Sequence, residues 1–70
     1  MNIFEQLVKH FGTQVKTGEA LGTDQTTVSG WVTGKRGMHA ITALKAEQVT
    51  GGAFRAVDLC PALKRVDSAA

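Results

Sequence analysis

The amino-acid sequence predicts an all-α domain, a compact bundle of four to five short helices, from three observations. Apolar residues recur at helical spacing in successive segments, and each segment runs into a glycine: Gly12, Gly22, Gly34 and Gly51. The stretch Ala43–Gln48 consists of strong helix formers. Seventy residues with a single cysteine leave room for one small domain that must stand on packing alone.

Composition narrows the function. A hydrophobic fraction of 43% suits a globular chain, and no apolar run approaches membrane-spanning length. The start Met1-Asn2-Ile3-Phe4-Glu5 lacks the basic and apolar stretches of a signal peptide, and Cys60 has no partner for a disulfide. The expected compartment is therefore the cytoplasm. A net charge of +2 and a pI near 9.0 permit nucleic-acid binding without demanding it. A chain this small gains from dimerisation.

The first helix begins at Asn2, with Glu5 placed to complete a capping box, and Phe4, Leu7, Val8 and Phe11 form its apolar stripe. Gly12 ends it and Thr13 caps the second helix, Gln14 to Leu21. That helix buries Val15 or Thr17, together with Gly18 and Leu21. His10 has no Cys, His or carboxylate at metal-ligand spacing, which leaves it a solvated surface position and the chain without a metal site.

The stretch Gln14–Thr33 organises the rest. Gly22 supplies the left-handed turn residue that lets a second helix start near Asp24, almost at right angles. Gly18 faces inward, where only a small side chain allows the helices to approach. Val28 and Trp31 follow at i, i+3 as the buried face of the third helix, with Trp31 expected deep in the core. This order of small residue, glycine, β-branched and bulky apolar residue is the helix-turn-helix pattern. Asp24 is placed to accept the orphan N–H of Thr26 or Thr27.

With Val28 and Trp31 inward, Gln25, Thr26, Ser29 and, a turn later, Thr33 share the outward face. Glutamine can bond bidentately to the N6/N7 edge of adenine, and threonine offers a hydroxyl and a methyl to thymine. Gln25, Thr26 and Ser29 are the candidate base readers, against the alternative of plain solvated positions. Thr33 is a candidate backbone contact. Gly34-Lys35-Arg36-Gly37 follows directly, and Lys35 and Arg36 either reach phosphates or neutralise the helix C-terminal dipole.

A fourth helix is expected from Met38 to about Thr50, with Met38, Ile41, Leu44 and Val49 (Ala40 beside them) as its apolar stripe and Gly51-Gly52 as its stop. A single helical turn is expected near Ala56–Cys60, closed by Pro61. The competing α+β reading makes Gln48–Thr50 and Ala53–Val57 strands of a C-terminal β-hairpin across Gly51-Gly52. Helix is preferred, because Ala53–Val57 alternates poorly. Residues 1–63 are read as the domain and 64–70 as a flexible tail. Phe54, Val57, Leu59 and Leu63 either fold back onto the core or form a dimer surface, with Phe54 and Leu59 the candidates for the interface.

The run FGTQ…ALG……VS.W, followed by..VTGGA…..L.P, resembles the Cro/YdaS-like family of small phage and prophage transcription regulators. The resemblance spans Phe11 to Pro61. It implies a lambda-repressor-like helical domain that binds double-stranded operator DNA, usually as a homodimer on a palindrome. By position it makes Gln14 a phosphate contact at the start of the second helix and supports Gln25, Thr26 and Ser29 as base readers. The chain departs from the family at Thr17 and Thr23, usually aliphatic, at Gly18, usually alanine, and at Gly30, where a longer polar side chain often contacts DNA.

No Ser/His/Asp grouping, carboxylate pair or phosphate-cradling glycine loop points to catalysis, and no cofactor motif occurs. The expectation is a Cro-type repressor. The alternative is a YdaS-like antitoxin or adaptor whose main work is binding a protein partner.

Overall fold

The computed structural model describes residues 2–63 and is all-α: α1 (Ile3–Phe11), α2 (Gln14–Leu21), α3 (Gln25–Thr33), α4 (Ala40–Val49) and α5 (Ala56–Leu59). The expected tail, 64–70, lies outside the described residues. Contacts divide the chain into two units, Met1–Gly37 and Met38–Ala70.

In the first unit α1, α2 and α3 pack on one another. Each starts on a side-chain cap. Asn2 and Glu5 form the expected capping box, with the Asn2 oxygen accepting from Glu5 N–H at 2.8 Å and Asn2 N–H donating to Glu5 at 3.1 Å. Asn2 also donates through Nδ2 to the Val32 carbonyl at 3.1 Å, tying the start of α1 to the end of α3. Thr13 Oγ1 accepts from Lys16 N–H at 3.1 Å, and Asp24 caps α3.

Leu7, Thr17, Leu21, Val28 and Trp31 are buried, and the Phe4 ring lies 6.3 Å from that of Trp31. Of the two candidates on α2, Thr17 is the buried one and Val15 is 49% exposed. Gln14, Thr17, Gly18 and Leu21 fall at i, i+3, i+4, i+7, and Val15 lies off that stripe. A buried hydroxyl needs a partner, and Thr17 Oγ1 has one in the Thr13 carbonyl at 2.8 Å.

The second unit holds α4 and α5, which pack together. Among the described residues there is no strand, and the hairpin alternative is not supported. Gly51 and Gly52 both take positive φ, but they close α4 instead of turning a hairpin: Gly52 N–H donates to the Glu47 carbonyl at 2.9 Å and Gly51 N–H to that of Gln48 at 3.1 Å. Glu47 Oε1 then accepts from Ala56 N–H at 2.6 Å, which starts α5 where an extended strand would have run.

The apolar stripe expected on α4 is the wrong face. Ala43 and Ala46 are fully buried, whereas Ile41 is 82%, Leu44 50% and Val49 47% exposed. Met38 is buried but precedes the helix. The alanines at 40, 43 and 46 form an i, i+3 row of their own, on a different face from the bulkier residues. A helix buried through its alanines can approach its neighbours closely, and Ala56 and Leu59 of α5 are buried as well.

Candidate nucleic-acid interface

The interface is built by the turn between α2 and α3. Gly22 sits in the left-handed region at φ 72°, and the N–H groups of Gly22 and Thr23 both donate to the Gly18 carbonyl. This closes α2 in a Schellman arrangement and reverses the chain within three residues. A Cβ on residue 18 would lie 2.7 Å from the Thr23 carbonyl oxygen and 3.3 Å from the Asp24 carbonyl carbon. Gly18 therefore makes room for the turn's own backbone, which alanine would crowd.

Asp24 fixes the start of α3. Its carboxylate accepts from Thr27 N–H at 2.8 Å, so Thr27 is the partner of the two candidates. That bond, with a further one from the Thr27 hydroxyl and the nearby Arg36 charge, holds the Asp24 acid below its ordinary value of 3.8. An ionised acid would repel phosphates. Here it is occupied with a helix N-terminus that favours negative charge.

With Val28 and Trp31 buried, the opposite side of α3 faces outward. Gln25, Thr26, Ser29 and Thr33 line one open concave surface together with Gln14 at the start of α2, Gly30, Lys35 and Arg36. Every residue expected to read bases or hold the backbone is thus brought to one place. Within it the chemistry differs. Gln25 and Thr26 are exposed and Ser29 half-buried, so their polar groups can be approached. The Thr33 hydroxyl already donates to the Ser29 carbonyl at 2.9 Å, a bond it must leave before it can donate to a phosphate oxygen. Lys35 is exposed at the end of the helix.

Gly30 is buried, and its neighbour in space is Arg36. A left-handed Gly34 at φ 80° turns the chain back, and Arg36 N–H donates to the Gly30 carbonyl at 3.1 Å. The aliphatic stem of Arg36 lies across residue 30, where a Cβ would be 2.9 Å from both Cγ and Cδ. Lys35 and Arg36 line the same surface, but it is Arg36 whose stem lies against Gly30. The signal was a glycine in the middle of an otherwise polar outward face, with an arginine six residues on.

The two dimer candidates lie in the other unit. Leu59 is buried at 2% exposure within the chain itself, and Phe54 is half-buried. The apolar area open to a partner in that unit is instead Ile41, Leu44 and Val49 on α4. Among the described residues no cluster of His, Cys, Asp or Glu could hold a metal, and no helix is long and apolar enough to cross a membrane.

No protein-family model matches the chain, and no solved structure matches it. Among characterised proteins it is similar to the regulatory protein Cro of Pseudomonas phage D3, with 55% identity over 60 residues that cover 86% of this chain and 82% of the relative. Identity of that degree across most of both chains, on an all-helical fold with a helix-turn-helix, places this chain in the family of phage Cro regulatory proteins.

Proposed function

We propose that the chain is a transcriptional repressor that binds a palindromic operator as a dimer, acts in the cytoplasm of the bacterial host and performs no catalysis. The observation that carries this reading is the concave surface over α2 and α3, where Gln14, Gln25, Thr26 and Ser29 meet the cations Lys35 and Arg36. Short amides and hydroxyls at the N-terminal end of α3 suit base edges in a major groove, and cations beside them suit phosphates. Gln25, Thr26 and Ser29 read bases in this account. Gln14, Thr33 and Lys35 hold the backbone, and the Arg36 charge adds to the general attraction.

One recognition helix and a charge of +2 give weak binding to a half-site. Two copies related by a two-fold axis would set their recognition helices in successive major grooves, about 34 Å apart. The similarity to a Cro protein supports the operator as target.

Selection of bound sequences from random duplex DNA tests the proposal. A palindrome should be enriched, and Gln25→Ala should then cost about 1–3 kcal/mol on that site and relax preference at one base pair in each half. Lys35→Ala should weaken binding to all sequences alike and lower the salt slope by about one. Enrichment of no sequence would overturn operator binding, and a single unrepeated half-site would overturn the dimer.

A further inference from the structure

We propose that Gly30 is a seat for Arg36, and that the seated Arg36 reads a guanine beside the base pairs read by Gln25, Thr26 and Ser29. The inference rests on the operator-binding reading and adds a specificity-determining residue to it. By sequence Arg36 belongs with Lys35 in a loop past the recognition helix, a natural phosphate contact. The fold also lays its stem against Gly30 of the recognition helix.

Two independent contacts hold it over α3. Its N–H donates to the Gly30 carbonyl at 3.1 Å, and its stem covers the Gly30 backbone where any side chain would collide with it. The atoms that would collide are Cβ, Cγ and Cδ, the part of the arginine nearest its own backbone, so the side chain cannot simply swing its tip aside. The position on α3 that lacks a side chain is thus filled by one delivered from outside the helix.

Arg36 lines the same concavity as Gln25, Thr26 and Ser29, and its charge is felt by Asp24, the N-cap of α3. The surface that Arg36 lines is the one whose N-terminal end meets base edges when such a helix enters a major groove. The stem rests on Gly30, which restricts its rotamers near the backbone, while Arg36 as a whole stays exposed. A planar fork held in this way suits the O6/N7 edge of guanine, which arginine takes bidentately, better than a mobile phosphate contact does.

The test compares wild type with Arg36→Ala, Arg36→Lys and Gly30→Ala by selection from random duplex DNA, with thermal melts to establish folding. The wild-type motif should carry a guanine in each half-site. Both Arg36 variants should lose preference for it by about tenfold or more, while preference at the Gln25 position stays. Lysine keeps the charge but not the fork, so its failure to rescue marks base reading. Gly30→Ala, which displaces the stem, should lose the same guanine and no other position. A folded Arg36→Lys with unchanged preference, or an Arg36→Ala loss equal on all sequences, makes Arg36 a phosphate anchor and overturns the proposal. A folded Gly30→Ala that keeps the guanine overturns the seat. Should Gly30→Ala not fold, the two Arg36 variants still decide the base-reading role. A wild-type protein that enriches no motif sinks operator binding and this inference together, whereas a motif indifferent to Arg36 sinks the inference alone.

Discussion

The two units of the chain are specified in different ways. In the first, every helix starts on a side chain that accepts a backbone N–H, namely Asn2, Thr13 and Asp24, and every helix ends on a glycine with positive φ. In the second, the residues before α4 and α5 are His39 and Arg55, and neither makes a capping bond through its side chain. The first unit buries its large apolar residues, Leu7, Leu21, Val28 and Trp31. The second buries Met38 and Leu59 beside alanines and leaves Ile41, Leu44 and Val49 out. Local signals thus agree with the packing in the unit that carries the candidate DNA surface. In the other they conflict, and packing decides. A recognition helix must be held in one geometry, and caps at both of its ends serve that need.

The largest expected effect tests the first unit's reliance on its core. Trp31→Ala removes a ring 3% exposed and should cost about 3–5 kcal/mol in urea unfolding, a large part of the about 5–15 kcal/mol typical of a whole protein. A loss below about 1 kcal/mol would show that the caps, more than the core, hold that unit.

In the second unit the polar tie between α4 and α5 is the next target. Glu47→Ala deletes the acceptor for Ala56 N–H and should cost about 1.5 kcal/mol, the low end for a bond to a charged group because it is only partly buried. The loss should appear first as faster hydrogen exchange at the Ala56 amide. Unchanged exchange would mean that packing of Ala56 and Leu59 alone defines α5.

A smaller effect is expected at the α3 cap, and it depends on pH. The Asp24 acid is depressed in the folded state, so the unfolded chain takes up the proton more readily. Its contribution is complete above the unfolded value of 3.8 and lost as pH falls through the lower folded value. Asp24→Asn keeps a capping oxygen but not the charge. It should flatten the acid limb of stability against pH and lower neutral stability by the same small amount. An acid limb as steep as that of wild type would assign it to other carboxylates.

The smallest effect is expected on the outward face of α4. Ile41→Asp replaces a side chain 82% exposed and should change stability by no more than about 0.5 kcal/mol. A mutant that unfolds would show this face to be packed, and the contrast between the units would fall. If the face joins two copies, the mutant should stay folded and sediment as a monomer.

Much of the first unit was legible because its determinants are local. Asn2 and Glu5, Thr13, Asp24 and the glycines at 12, 22 and 34 act on backbone groups within a few residues, and a spacing in the chain is a spacing in space. The outward row Gln25, Thr26, Ser29 and Thr33 followed from where Val28 and Trp31 had to go. Tertiary structure alone decided the rest. Which face of α4 is buried depends on what packs against it, and a row of alanines and a row of larger residues are both apolar by composition. Hydropathy did not tell Val15 from Thr17, and Thr17 is the one inside, on the stripe of Gly18 and Leu21. The placing of the Arg36 stem against Gly30 required the chain to fold back, a contact between residues six apart that no helical period encodes.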